Sequence, residues 1–413
     1  MLAGFLFRRI IRDGTLTLVD PAGRRETVGS GEPRVTVRLT DRATERRILM
    51  NPKLAIGESY MNGSLVIEEG SLYDFLTLTG RNVVNLENLG GVRWIEGVRR
   101  ALRPLHSYNP VNRARKNVAH HYDLSGTLYE LFLDTDWQYS CAYFTSPEES
   151  LEQAQENKKR HLAAKLLLNE DRQEILDIGS GWGGLGLYLA REANANVTGV
   201  TLSQEQVRVS QERARKAGLS EDVHFRLQDY RNLTGKYDRI VSVGMFEHVG
   251  TRHYPDFFAK VRDLLNDDGV AVLHSIGRME PPGSTNPWLR KYIFPGGYTP
   301  ALSEVLEVVE RSGLWVTDIE ILRLHYAKTL RRWRERFAAN RERVKQLYDE
   351  RFCRMWEFYL TGCEISFREM GQMVFQMQLA RRQDAVPLTR DYITDWERAQ
   401  REKVAPLTAQ AAE

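Results

Sequence analysis

Residues 174–184 read EILDIGSGWGG, a short apolar run with one aspartate in it, followed by four glycines in six positions. Glu174–Ile178 has the length and the branched side chains of a buried strand. The glycines behind it allow a tight turn into a helix, whose first N–H groups are then left for a ligand. Such a turn taken alone is a weak signal, and its neighbours decide what it means.

Downstream, short apolar runs alternate with charged stretches: NVTGVT (196–201), VHFRLQ (223–228), RIVSVG (239–244) and VAVLHSIG (270–277). Between the first two lies SQEQVRVSQERARKAG (203–218), which has the composition of a surface helix. This alternation predicts an α/β fold built on a doubly wound, Rossmann-like, mostly parallel sheet. Later, Met373, Phe375, Met377 and Leu379 alternate with Gln372, Val374, Gln376 and Gln378. Period two outweighs the helix-friendly composition there and predicts a late strand, which the family resemblance given below implies is antiparallel to the rest. Leu330, Trp333 and Phe337, at helical spacing, mark an inserted helical block over about 327–362.

Upstream, residues 1–105 carry short alternating runs such as RVTVRL (34–39) between glycine turns, the pattern of a small α+β domain. A basic stretch with Arg99, Arg100, Arg103, Arg113, Arg115 and Lys116, broken by Pro104 and Pro110, follows it. Residues 106–125 are therefore read as a linker and the start of a helical lid. The main domain is placed at 126–395 and a flexible tail at 396–413.

At 413 residues with 42% apolar content, the chain has room for two packed cores. Its net charge of +3 makes no case for nucleic acid, though it suits an anionic membrane surface. Cys141, Cys353 and Cys363 are widely spaced, which argues against a disulfide framework or a zinc site and predicts a cytoplasmic protein with no metal. Near the N-terminus, Leu2, Phe5, Leu6 and Ile10 share one helical face beside Arg8 and Arg9, the pattern of an ordinary amphipathic docking helix or, as the alternative, of an interfacial anchor, with no membrane span.

The most pointed question is set by MFEHVG (245–250), which puts Glu247 beside His248 at the mouth of the RIVSVG strand. An unpaired buried charge costs several kcal/mol, so the plain expectation is a satisfied ion pair. Strand ends in open α/β sheets are also where ligands and chemistry sit. The strand after the glycine loop ends in TLSQEQ (201–206), without the acidic residue that would grip a nicotinamide ribose.

These segments together resemble the cyclopropane-fatty-acyl-phospholipid synthase and mycolic acid cyclopropane synthase family. The resemblance rests on QYSCAY (138–143), LDIGSGWGG (176–184), GVTLSQEQ (199–206), LQDYR (227–231), DRIVSVGMFEHVG (238–250), VLHSIG (272–277), KYIFPGG (291–297) and HYAKTLRRW (325–333). It covers about 105–385, with a weaker likeness over the N-terminal domain, which in bacterial members is a small lipid-binding unit. It implies a class I S-adenosylmethionine-dependent methyltransferase. Such an enzyme adds a methyl group to a cis double bond of a phospholipid acyl chain; the resulting cation loses a proton and closes to a cyclopropane. A bound bicarbonate serves as base, held by Glu247, His274, Tyr326 and the backbones of Cys141 and Ile276. Glu247 would accept from the bicarbonate hydroxyl, while His248 is expected to be a structural neighbour.

The resemblance also places S-adenosylmethionine against Tyr139, Ser140, Gly179, Gly181 and Gly183, with Thr201 and Gln206 at the ribose and Gln228, Asp229 and Tyr230 at the adenine. Faces of Tyr139, Tyr143 and Phe144 are expected to stabilise positive charge. Trp333, Phe337, Met355, Trp356, Met373 and Met377 are expected to line or support an acyl channel. A dimer at the inner face of the membrane is implied, with no nucleic-acid partner. The nearest rival is a methylene- or methyl-branching fatty acyl methyltransferase, since the same cation can lose a different proton or gain a hydride.

Overall fold

The computed structural model describes residues 2–90, 97–98, 126–168 and 172–410. The expected linker at 106–125 and the basic stretch from Arg99 to Lys116 lie outside the described residues.

The N-terminal unit opens with helix α1 (Leu2–Ile10) and a four-stranded sheet. The strands are β1 (Gly14–Val19), β2 (Arg25–Ser30), β3 (Arg34–Leu39) and β4 (Leu65–Glu69), in the order β2-β1-β3-β4. Helices α2 (Arg42–Met50), α3 (Pro52–Met61) and α4 (Leu72–Arg81) complete it. In α1 the buried face is Phe7 and Ile10, joined by Ile11, whereas Phe5 is exposed. The docking helix is thus present, but turned from the expected face because the sheet takes Phe7.

The large unit is a seven-stranded sheet in the order β10-β11-β9-β8-β5-β6-β7. Its strands are β5 (Glu174–Ile178), β6 (Asn196–Thr201), β7 (Val223–Leu227), β8 (Tyr237–Val243), β9 (Leu265–Arg278), β10 (Trp315–Ile321) and β11 (Gln372–Ala380). Chain order reverses between β5 and β8, which pair in parallel, and this switch point puts a crevice at their carboxyl ends. The period-two run forms strand β11 as expected, and it runs antiparallel to both β9 and β10. Met373, Phe375, Met377 and Leu379 enter one hydrophobic core. The glutamines of the other face are buried too: Gln376 Nε2 reaches His274 Nδ1 at 3.2 Å and Gln378 Nε2 donates to the Lys165 carbonyl at 2.6 Å.

The helical insert is longer than expected, comprising His325–Ala339, Arg341–Leu347 and Glu350–Glu369. Trp333, Phe337 and Trp356 are core residues of this block, as Met373 and Met377 are of the sheet, and none lines either of the two cavities described below. Trp333 and Trp356 instead pack behind Tyr326 and Tyr359, since helical periodicity marks a buried face whether the neighbour is a ligand or another helix. The segment from 396 is likewise no loose tail. Helix Asp391–Gln410 runs through most of it, with Gln400 buried and Glu397 bonded to His161 at 2.8 Å.

The two units are packed together. Ile365 of the insert sits in the N-terminal core, Trp288 Nε1 points at Met61 Sδ (3.1 Å), and Glu58 accepts from Lys291 (2.6 Å) and Tyr292 (2.8 Å).

Candidate active site

Two cavities meet at the carboxyl end of the sheet. The first is built on the loop after β5. Gly179, Gly181 and Gly183 all have left-handed φ (86°, 54° and 85°), and Gly183 caps helix Gly184–Ala193. A Cβ on Gly179 would stand 2.8 Å from the Met245 side chain, and one on Gly183 2.7 Å from the Phe225 ring. Only glycine fits this backbone, and the loop is tied down by Gly179 and Ser180 N–H bonds to the Val200 carbonyl (2.9 and 3.0 Å). Thr201 and Gln206 are joined at 2.7 Å in the wall, beside Gln228, Asp229 and Tyr230. Both Asp229 oxygens accept from Arg231 (2.9 and 2.7 Å), so this carboxylate faces the pocket already paired. Asp177 lies on the floor with Oδ2 buried and without a partner among the described residues; burial pushes its carboxyl up to about 7, with Lys158 opposing.

The second cavity is larger, about 380 Å³ against 160 Å³, and mostly apolar. Part of the lining comes from α3 and α4 with Pro52, Ile56, Leu76 and Gly80, and part from Tyr326, Phe358, Tyr359 and Phe367 of the insert. Tyr139, Ser140, Gly244 and His248 line both cavities, so the two share a seam.

Glu247, His274, Ile276, Tyr326 and Cys141, the five residues read as an anion site, all line this second chamber. Glu247 sits in a single turn after β8, with Oε1 accepting the Ile276 N–H (2.7 Å) and Oε2 buried without a partner among the described residues. Here the structure corrects one detail: the Ile276 amide is committed to the glutamate rather than held for an anion. Burial pushes the Glu247 carboxyl up to about 7 despite that amide. His274 is held by the Gln376 side-chain amide, which lies 3.2 Å from Nδ1 and leaves Nε2 for other partners. Burial, reinforced by Lys158, takes His274 down to about 3, so the ring is neutral at physiological pH. The Cys141 thiol is wholly buried and pushed well above its usual range, which suits a backbone role rather than a nucleophile.

Of the three aromatic faces expected around a cation, only Tyr139 is in place. Its hydroxyl bonds Tyr359 (2.7 Å) and its ring stacks on Trp333 with centroids 5.1 Å apart. Tyr143 is instead sandwiched between His161 (4.2 Å) and His325 (4.8 Å), and Phe144 packs on His325; neither lines either of these two cavities. His248, expected as a bystander, lies on the seam. Asp177, Tyr359 and Lys158 went unassigned from sequence, although the aspartate inside an apolar strand was itself a signal.

The Asp177 Oδ2 on the floor, without a partner among the described residues, the cradle that leaves no room for a Cβ at Gly179 or Gly183, and the apolar chamber across the seam fit a bound S-adenosylmethionine facing a second, apolar substrate. With the sheet order they define the class: a class I S-adenosylmethionine-dependent methyltransferase. The chain belongs to the family described as Mycolic acid cyclopropane synthetase, whose profile matches residues 110–377. It is 37% identical over 336 residues to the cyclopropane-fatty-acyl-phospholipid synthase of Escherichia coli, covering 81% of this chain and 85% of that one. It is 36% identical over 394 residues to the tuberculostearic acid methyltransferase UfaA1 of Mycobacterium tuberculosis, covering 92% and 91%. Among solved structures, the mycolic acid cyclopropane synthase CmaA1 complexed with SAH and CTAB superposes with a TM-score of 0.61 at 33% identity, over 66% of this chain and 99% of CmaA1.

Proposed function

We propose that the chain transfers the methyl of S-adenosylmethionine to the cis double bond of unsaturated phospholipid acyl chains and closes the product to a cyclopropane with bicarbonate as base. The observation that carries this reading is the buried Oε2 of Glu247, without a partner among the described residues, in an apolar chamber that adjoins the cofactor cradle. When bound, S-adenosylmethionine supplies an electrophilic methyl group and bicarbonate a base that a proton can reach.

The chain's own residues do the rest. The glycine cradle and the floor around Asp177 hold the cofactor, and the apolar walls keep out water that would trap a cation. Tyr139, fixed by Tyr359, presents a ring at the seam that stabilises positive charge without bonding to it. His274 donates from Nε2 to an oxyanion, Tyr326 lines the same space, and Glu247 Oε2 accepts from the anion's hydroxyl and orients it. The N-terminal unit, in this reading, faces lipid, and the protein works as a peripheral dimer at the inner face of the membrane; no described helix is long and apolar enough to cross it.

A branched product, methylene or methyl, is the second reading, favoured by the likeness to UfaA1 over nearly the whole chain. The test of methyl transfer itself is direct. Vesicles of a cis-monounsaturated phospholipid are incubated with the enzyme and S-adenosylmethionine labelled on the methyl. Label recovered in the acyl chain supports the reading, and label absent from lipid overturns it.

A further inference from the structure

Helix Leu151–Lys165 is strongly polar, yet twelve of its fifteen residues are buried. Gln155 and Lys158, one turn apart on this helix, grip the segment that forms the seam. Gln155 Nε2 donates to the Gln138 and Ser140 carbonyls at 3.2 and 3.0 Å. Lys158 Nζ donates to Gln138 Oε1 and to Ser140 Oγ, the latter at 3.0 Å. Gln138 lines the cofactor cradle, Cys141 lines the lipid chamber, and Tyr139 and Ser140 line both.

Lys158 has no solvent exposure, and its hydrogen bonds go to neutral oxygens. A buried ammonium costs several kcal/mol, so packing alone would be better served by an apolar side chain. Burial lowers its pKa to about 8, and Asp134 and Asp136 offset only part of that cost through space. The ammonium charge in turn favours the ionised form of Asp177 and the neutral form of His274, one residue on each side of the seam.

We infer that Lys158 is the positioning residue of the methyl-transfer seam, holding Gln138 and Ser140 from behind so that the Tyr139 ring and the Cys141 backbone are set between cofactor and lipid. The inference rests on the methyltransferase reading above. It makes the buried cation a determinant of turnover rather than of lipid capture.

The experiment uses the full chain with Lys158→Met, Lys158→Arg, Ser140→Ala and the Lys158→Met/Ser140→Ala double variant. It measures kcat, the lipid KM, S-adenosylhomocysteine affinity and the melting temperature. Lys158→Met is expected to lose about 100-fold in kcat with lipid KM within about twofold of the parent, as misplacement of a reacting group does. Lys158→Arg, which can reach the same two oxygens, is expected to recover about tenfold of that loss. Ser140→Ala is expected to lose several-fold in kcat, and the double variant no more than Lys158→Met alone, because the two side chains act as one unit.

Turnover of Lys158→Met within about threefold of the parent overturns the inference. So do additive losses in the double variant, or a loss that follows only the fraction unfolded. Should Lys158→Met fail to fold, Ser140→Ala and Lys158→Arg still decide: lowered kcat at unchanged KM supports the role and unchanged kcat overturns it. A parent that transfers no methyl to lipid would sink the lipid reading instead. The positioning claim would then stand on S-adenosylhomocysteine affinity, expected about tenfold weaker in Lys158→Met and overturned if unchanged.

Discussion

Ile276 gives its backbone N–H to Glu247 Oε1 at 2.7 Å, while Oε2 of the same carboxylate is buried without a partner among the described residues. One oxygen is therefore structural, locking the turn after β8 to strand β9, and the other is held in reserve inside the chamber. A buried acceptor kept unsatisfied costs stability, and such a cost persists where binding or chemistry recovers it.

Glu247→Gln separates the two roles. Gln keeps an Oε1 for the Ile276 amide but replaces the reserved acceptor with a donor, and methyl-to-ring turnover is expected to fall at least about 100-fold. Stability should move the other way. The Glu247 pKa is raised to about 7 in the folded chain, so the carboxyl is favourable when protonated and becomes a burden as pH rises through that value. The variant should thus melt higher than the parent, by an amount worth on the order of 2–3 kcal/mol above pH 7 and little at acid pH. Parent activity, needing the ionised form, should rise with pH through an apparent pKa near 7. Melting curves and a pH–rate profile check both signs.

Gly183→Ala should be costly for two reasons. Its φ of 85° disfavours any Cβ, and that Cβ would meet the Phe225 ring at 2.7 Å. A loss of roughly 1–3 kcal/mol in stability is expected from the backbone alone. Affinity for S-adenosylhomocysteine, measured by titration calorimetry, should drop by about tenfold or more as the loop shifts.

The wall made by α3 and α4 predicts that the N-terminal unit shapes the substrate. Ile56→Trp or Leu76→Trp would fill part of the 380 Å³ chamber from that side. Turnover of long acyl chains should fall about tenfold relative to shorter ones. S-adenosylhomocysteine affinity should stay within about twofold of the parent, since neither residue lines the cradle. Competition between two chain lengths in mixed vesicles reads the ratio directly.

His161 fastens the C-terminal helix, its ring nitrogens meeting Glu397 at 2.8 Å and Glu320 at 2.6 Å. Burial opposes its charge, but the bonds to Glu320 and Glu397 prevail and raise its pKa. The stability contributed by this pair is present at acid pH and fades as pH rises through the folded pKa. Hydrogen exchange in 391–400 should accelerate on going from about pH 6 to about pH 9 beyond the intrinsic change, and His161→Phe should abolish that extra acceleration.

What could be read from sequence depended on the kind of signal. Glu174–Ile178, Asn196–Thr201 and the period-two run at Gln372–Ala380 were legible because strands leave a local pattern. Edge strand β10 (Trp315–Ile321) was missed, since an edge faces solvent and mixes Thr, Asp and Glu into its alternation. Glu247, His274 and Tyr326 were found through resemblance; His274 alone reads as an ordinary core histidine. The misplacement of Tyr143, and the silence over Lys158 and Tyr359, share one cause. Which way a side chain points after a loop, and what a polar residue meets across 20 or 220 positions, are tertiary facts with no local periodicity.

The most direct test of the account is the structure of the lipid product. Purified enzyme, S-adenosylmethionine and cis-monounsaturated phospholipid vesicles are incubated in bicarbonate-free buffer and again with bicarbonate restored, and the acyl chains are examined by proton NMR and mass spectrometry. The account predicts a gain of one CH2, high-field ring protons and loss of vinyl signals, all dependent on bicarbonate. An exomethylene signal, a saturated methyl branch, or ring formation indifferent to bicarbonate would contradict it.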